Sequence, residues 1–268
     1  MNTSADNRIV LEDDEVQVWV ISLNCRKEEM VRLGQSLDSG EKAKAARFRF
    51  LADRHRYVVA HGALRCILGI MTHRDPAHIR FAYGEFGKPF MSDDEGDGRV
   101  SFNLSHTQNI AVVAATRRRD IGVDVERIDP SVDFIDIAEK FFSPGEATQL
   151  VRLPRAEQVR AFYRCWTRKE AYVKANGGGL SIPLDRFDVS LQRKEPAAIL
   201  TIAGDRREAR KWSLFNLDVR PGIVGAVAVA GHPARLVLNR WPDGVPSTIG
   251  RPGTQVGLVE MREMGVKS

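Results

Sequence analysis

The sequence lacks long apolar stretches and has only three cysteines among its 268 residues. No run of about 18 apolar residues occurs, so we expect no membrane-spanning helix. The first 14 residues are polar and acidic and lack the apolar core of a secretory signal, so we expect a cytoplasmic location. Cys25, Cys66 and Cys165 are scattered, which excludes a disulfide framework and a cysteine metal site, and we expect them to be small core residues.

The chain also lacks the signals of nucleic-acid binding, such as a helix-turn-helix, a zinc pattern or aromatic residues interleaved with basic ones. Its net charge of +5 is concentrated in residues 41–65, where seven basic residues accompany two acidic ones. The basic residues are Lys42, Lys44, Arg47, Arg49, Arg54, Arg56 and Arg65. Such a helical segment is either a solvated surface or a binding surface for phosphates or an acidic protein partner.

What the sequence does contain is one order of elements that occurs twice. The segments of the first half are a strand at 16–23, helices over 39–69, a turn-bearing segment at 81–90, an exposed turn at 93–98, a strand pair at 102–115 and a strand at 121–125. The segments of the second half are helices over 144–176, a strand at 187–191, Phe215-Asn216-Leu217, which echoes Phe102-Asn103-Leu104, and an apolar strand at 223–230.

This order predicts an α+β fold, built as a pseudo-twofold duplication of two helix-plus-antiparallel-sheet halves. We place the N-terminal half at residues 1–126 and the C-terminal half at 127–239. Residues 240–268 are rich in proline and glycine and predict a loose C-terminal tail. Because the duplication supplies two facing halves within one chain, we expect a monomer.

Trp166, Glu170 and Lys174 are spaced four residues apart and therefore share one face of a helix. One interpretation is an exposed Glu–Lys pair beside a tryptophan that braces the helix. The other is a helix face that meets an ionic ligand, since a core helix would carry Leu or Val at the last two positions.

Asp124 and Glu126 lie two residues apart on a predicted strand, so both carboxylates point to the same side. Two adjacent carboxylates repel each other unless a cation lies between them. Oxygen ligands without His or Cys favour magnesium, with manganese as an alternative. A solvated strand end is the competing interpretation, and Glu170 becomes a third donor only if its helix face meets this strand.

Ser105 and His106 end a strand, and Lys88 lies in the turn Gly87-Lys88-Pro89. Each could contact a phosphate, and each could equally be an ordinary cap or solvated turn. Arg56 is distinguished only by its place in the basic segment.

The joint order of these motifs resembles the 4′-phosphopantetheinyl transferases of the Sfp type. The resemblance covers about residues 40–182 and rests on Gly122–Glu126 as G-x-D-x-E and on Trp166–Lys174 as W-x-x-K-E-A-x-x-K. It implies a cleft for coenzyme A between the two halves and an apo carrier protein with an acidic docking surface as the partner.

The resemblance also implies the roles of the site residues. Asp124, Glu126 and Glu170 would hold magnesium against the pyrophosphate. His106 and Lys174, with Ser105, would contact the phosphates, and Arg56 and Lys88 would meet the 3′-phosphoadenosine end. Thr107 and Gly145 depart from the commonest pattern, and we expect neither to touch the chemistry.

The implied reaction moves phosphopantetheine from coenzyme A to a carrier-protein serine and releases adenosine 3′,5′-bisphosphate. Glu170 is the candidate base, with water on the metal as the alternative, and Lys174 is the candidate cation at the phosphate. Two other functions use the same residues: a magnesium-dependent phosphodiesterase, and a non-catalytic module that binds coenzyme A or a carrier protein.

Overall fold

The protein was analysed as a computed structural model that describes residues 11–92, 99–233, 235–241, 246–250 and 255–257. The helices are α1 (Lys27–Gln35), α2 (Ser39–Ala46), α3 (Leu51–Thr72), α4 (Phe134–Phe141), α5 (Pro144–Arg152), α6 (Arg155–Asn176) and α7 (Arg206–Ala209). The strands are β1 (Glu15–Ser22), β2 (Phe81–Tyr83), β3 (Pro89–Met91), β4 (Val100–Thr107), β5 (Ile110–Arg117), β6 (Ile121–Arg127), β7 (Phe187–Val189), β8 (Ile199–Ile202), β9 (Trp212–Arg220), β10 (Ile223–Ala230), β11 (Arg235–Trp241), β12 (Pro246–Gly250) and β13 (Gln255–Gly257). The exposed turn predicted at 93–98 lies outside the described residues.

Two sheets pack face to face between two layers of helices. The first sheet has the strand order β12-β11-β1-β5-β4, and the second has β13-β9-β10-β6. Alternating apolar residues of both sheets, such as Val18, Val112, Val123 and Val227, form a central core. Helices α1 and α3 cover the outer face of the first sheet, and α4, α5 and α6 cover the second. The predicted α+β fold of two helix-plus-antiparallel-sheet units is confirmed.

Each predicted half of the chain contributes one strand to the sheet of the other half. Strand β6 pairs with β10 in the second sheet, although six of its seven residues belong to the predicted N-terminal half. Strand β11 returns to the first sheet, where it pairs in parallel with β1. The sheets therefore do not divide at residue 126, because each half donates a strand to the other.

Part of the segment that we predict as a loose tail forms strands where the structure describes it. Residues 240 and 241 belong to β11, β12 pairs antiparallel with β11, and β13 pairs parallel with β9. Sheet pairing satisfies backbone groups despite the proline and glycine content of this segment. The tail residues 242–245, 251–254 and 258–268 lie outside the described part of the chain.

The echo of Phe-Asn-Leu in the two halves is not a structural equivalence. Phe102 packs toward α3 on the outer face of the first sheet, whereas Phe215 lies in the central core between the sheets. The duplication therefore holds at the level of element order and layers, and not at this tripeptide.

Candidate active site

The site is built on a seam between the edge strands β4 and β6. Side-chain oxygens of alternate β4 residues accept hydrogen bonds from alternate β6 backbone N–H groups. The pairs are Asn103 with Val123 at 2.9 Å, Ser105 with Val125 at 3.3 Å and Thr107 with Arg127 at 3.3 Å. This β4–β6 seam fixes the register between the two sheets and holds Asp124 beside Ser105.

Helix α6 lies directly on β6 because Gly122 has no side chain. A Cβ atom on Gly122 would overlap the backbone of Ala171 and Ala175 in the helix. The close approach places Lys174 against Asp124, with Nζ 2.6 Å from Oδ1. Ser105 Oγ lies 3.2 Å from the same carboxylate oxygen, so strand, helix and seam meet at Asp124.

Three carboxylates lie within electrostatic reach of one another. Burial, then the charges of Asp124 and Glu170, raise the pKa of Glu126 to about 7, while Lys174 and a Thr107 hydrogen bond oppose the shift. Burial and Asp124 likewise raise the pKa of Glu170, with Lys174 opposing. The helix face therefore meets the strand. Thr107 also hydrogen-bonds to Glu126 and so adjoins a candidate site residue, while its distance from the chemistry stays a prediction.

The carboxylates fit a divalent cation in part. Asp124 is 4% exposed, and its Oδ2 atom has no hydrogen-bond partner among the described residues. A buried unpaired carboxylate oxygen beside two further acids favours a hard cation. Within the described ranges, however, no three acidic, His or Cys side chains converge into a ready three-ligand set. Lys174 stands at the other oxygen of Asp124, so three-ligand binding would require side-chain movement.

A cavity of about 720 Å³ opens beside this junction. Trp166, Glu170 and Lys174 all line it, so their stripe faces a cavity and not open solvent. The apolar part of the wall includes Leu104 and Ile182. Trp166 also braces α6, since its ring centroid lies 6.1 Å from that of Phe141 and 6.4 Å from that of Phe142, both outside the helix.

Lys88 reaches the same cavity from the β2–β3 hairpin of the first half. Its Nζ donates a 2.7 Å hydrogen bond to the backbone oxygen of Ala175, in the last turn of α6. A cation there interacts favourably with the helix dipole. Burial lowers the pKa of Lys88, an effect that Asp120 partly offsets. Lys88 therefore joins the two halves at the cavity wall.

Arg56 and His106 do not line this cavity. Ser105 and His106 alternate along β4, so Ser105 is buried in the seam while His106 is exposed on the other side. Partial burial and the charges of His61, Lys174 and Arg56 lower the pKa of His106. Arg56 binds Asp53 at 2.7 Å and Asn109, beside the β4–β5 turn, at 3.2 Å.

Arg65 cannot contribute to the basic surface that the sequence suggests. It is fully buried and pairs with Asp38 at 2.7 Å and Glu41 at 2.6 Å. The other six basic residues of the segment are at least partly exposed.

Two features of the site were missed from the sequence. The first is the pair of seam acceptors Asn103 and Thr107, which the alternation of three polar residues along β4 could have revealed. Lys169 of the W-x-x-K-E-A motif is fully buried and pairs with Glu146 at 2.7 Å, which ties α6 to the first turn of α5. Gly145, which directly precedes Glu146 in the sequence, does not line the cavity.

Two protein-family profiles match the chain. The profile of the 4′-phosphopantetheinyl transferase superfamily matches residues 120–228, and that of the N-terminal part of 4′-phosphopantetheinyl transferases matches residues 23–118. The 4′-phosphopantetheinyl transferase HetI of Nostoc sp. is 38% identical over 223 residues, which cover 83% of this chain and 91% of that protein. The 4′-phosphopantetheinyl transferase Sfp of Bacillus subtilis is 32% identical over 173 residues, covering 65% and 75%. A phosphopantetheinyl transferase of Thraustochytrium sp. is 32% identical over 215 residues, covering 76% and 73%.

Proposed function

The chain belongs to the 4′-phosphopantetheinyl transferase superfamily, and from this premise we propose how its residues transfer phosphopantetheine from coenzyme A to a serine of an apo carrier protein. The observation that carries the proposal is the junction at Asp124. There, Lys174 and Glu170 of one half meet the β4–β6 seam at the wall of a 720 Å³ cavity.

We assign the cavity to coenzyme A. Lys174 supplies positive charge for the phosphates at the junction, and Lys88 supplies it for the 3′-phosphate. Apolar residues such as Leu104 and Ile182 supply surface for the pantetheine chain. Arg56 and His106, on the other side of β4, are assigned to the phosphate-bearing nucleotide end.

Asp124, Glu126 and Glu170 would hold magnesium, for which manganese could substitute. When bound, the ion supplies positive charge that offsets the charge of the pyrophosphate. The unpaired Asp124 oxygen and the raised pKa of Glu126 support this assignment, because both conditions are relieved by a cation.

In the reaction, the serine oxygen attacks the phosphorus that carries pantetheine, and the bond from that phosphorus to the bridging oxygen breaks. The leaving group is adenosine 3′,5′-bisphosphate. Glu170 takes the serine proton, directly or through a water, and its raised pKa makes it a stronger base than an ordinary carboxylate. Lys174 keeps a positive charge at the transferred phosphate, where negative charge accumulates.

The carrier protein would dock on the exposed basic residues between Lys42 and Arg56. Complementary charge on an acidic partner speeds encounter and orients docking. Arg65 is excluded from this surface because it is buried.

Mass spectrometry of an apo carrier protein incubated with coenzyme A, magnesium and this enzyme tests the proposal. We expect the carrier to gain the mass of one phosphopantetheine. Asp124→Ala should lower the rate by at least about 100-fold, as the loss of a charged active-site group does, while Asp14→Asn, at an exposed aspartate, should match the wild type.

Two results would contradict the proposal. Full activity of Asp124→Ala would remove this residue from the site. Consumption of coenzyme A without modification of any of several carriers would point to a phosphodiesterase.

A further inference from the structure

A second pocket, of about 340 Å³, lies over β9 and β10. It shares no lining residue with the cavity beside β4. Its charged lining residues are Arg160 and Arg164 of α6, Arg193 of the loop after β7, and Asp218 of β9. The mechanism above uses none of these side chains.

The pocket carries an excess of positive charge. Three guanidinium groups accompany one carboxylate, the only acidic side chain among its described lining residues. Arg164 and Asp218 are half-buried, and burial lowers the pKa of Arg164 while Arg160 and Arg193 lower it further. Burial raises the pKa of Asp218, while all three arginines oppose the shift. One carboxylate offsets only one of the three guanidinium charges, so the lining keeps an excess of positive charge.

The arginines also have unused hydrogen-bond donors. Arg164 donates one bond, at 2.7 Å, to the backbone oxygen of Leu191. Arg160 and Arg193 donate none to the part of the chain that the structure describes. Each guanidinium presents five N–H donors in a planar fork that matches the oxygens of a phosphate.

We propose that this pocket binds a phosphate dianion, either free phosphate or the phosphate monoester of a nucleotide. Converging arginine forks select tetrahedral oxyanions over chloride because they pair bidentately with the oxygens. The volume of about 340 Å³ accommodates one phosphate group and leaves room for a substituent on it. The inference is independent of the activity proposed for the other cavity.

Isothermal titration of the full-length protein with inorganic phosphate tests the inference. Arg160→Ala and Arg193→Ala, both at exposed positions, should each weaken binding about tenfold or more, as loss of a charge-assisted partner does. Arg155→Ala is the matched control, since Arg155 is an exposed arginine of the same helix outside the pocket. Phosphate bound in the other cavity would be unaffected in all three variants.

A gain of binding provides a second test that unfolding cannot mimic. Asp218→Asn removes the opposing charge and should tighten phosphate binding several-fold. Competition with adenosine 3′,5′-bisphosphate then separates the two sources: Arg193-dependent displacement of phosphate identifies a nucleotide ligand, and its absence identifies free phosphate.

The inference would be overturned if Arg160→Ala and Arg193→Ala bound phosphate as Arg155→Ala does, since that result indicates an adventitious ion only. Unchanged or weaker binding by Asp218→Asn would also contradict it.

Discussion

Lys174 and Lys88 line the same cavity but have different partners. Lys174 neutralises a buried carboxylate, Asp124, and so belongs to the charge balance of the site. Lys88 donates to a backbone carbonyl and so also holds the β2–β3 hairpin on α6. Removing Lys88 should therefore have a structural effect, which must be separated from the proposed effect on substrate binding.

Two co-substrates separate these effects. If Lys88 meets the 3′-phosphate, Lys88→Ala should raise the KM for coenzyme A about tenfold, the value of one charge-assisted contact. The KM for dephospho-coenzyme A, which lacks this phosphate, should rise much less. Steady-state kinetics with both compounds measures the ratio, and Lys194→Ala, at an exposed lysine outside the cavity, is the control. Equal increases for both compounds would leave Lys88 only its structural role.

Glu126 should make the metal-free protein less stable as pH rises. Its pKa is about 7 in the folded protein against an ordinary value of 4.5, so the folded state binds this proton more tightly than the unfolded state. The destabilisation that comes from ionising Glu126 in the folded protein is therefore absent below about pH 4.5 and complete above about pH 7.

Glu126→Gln removes this cost, so the Tm of the variant relative to the wild type should rise from pH 5 to pH 8 in the absence of divalent ions, as measured by calorimetry. Glu139→Gln, at an exposed glutamate of α4, should show no such trend. A Tm difference that stayed constant with pH would contradict the expectation.

At the scale of elements, the contact of α6 with β6 decides the geometry of the site. The helix approaches so closely that only glycine fits at position 122. Any separation of helix and strand would move Glu170 and Lys174 away from Asp124.

Gly122→Ala should therefore lower the free energy of unfolding by about 1–3 kcal/mol or more, as overpacking does, and should lower activity as well. Urea denaturation and the transfer assay measure the two effects. Gly145→Ala is the control and should leave both nearly unchanged, because its new Cβ would lie 3.8 Å from Ser143 Oγ, an ordinary van der Waals contact. Unaltered stability of Gly122→Ala would show that the helix can shift freely.

Local sequence patterns predicted the helix and strand faces of this site, but not the tertiary contacts that bring these faces together. Two-residue alternation correctly placed Val123 and Val125 in the core opposite the acids, and four-residue spacing placed Trp166, Glu170 and Lys174 on one face. The seam and the burial of Arg65 depend on residues brought together only by tertiary packing. Arg65 pairs with residues 24 and 27 positions away, so counting charge along the chain assigned it to the surface.

At the scale of the whole molecule, the exchanged strands make the halves depend on each other. Leu236 and Leu238 of β11 are fully buried in the central core, although the chain reaches them only after completing β10. A substitution that destabilises β11 should therefore destabilise both sheets.

Leu238→Ala should lower the free energy of unfolding by about 2–5 kcal/mol, as large-to-small core substitutions do. Hydrogen exchange followed by mass spectrometry should show this loss in β5 and in β10 alike, because the halves unfold together. Leu200→Ala, at a leucine of β8 that is 47% exposed, is the matched control. Loss of protection in the first sheet alone would show that the halves unfold separately.

The pairing of β1 with β11 also has a consequence for biosynthesis. Glu15 and Arg235 are 220 residues apart in sequence yet are joined side by side. Contacts of such separation close late in folding. During translation, β1 cannot pair with β11 until most of the chain has been synthesised, so the edge of β1 that β11 later covers stays unpaired until then. The strand exchange that couples the halves thus makes the nascent first sheet a candidate client for chaperones.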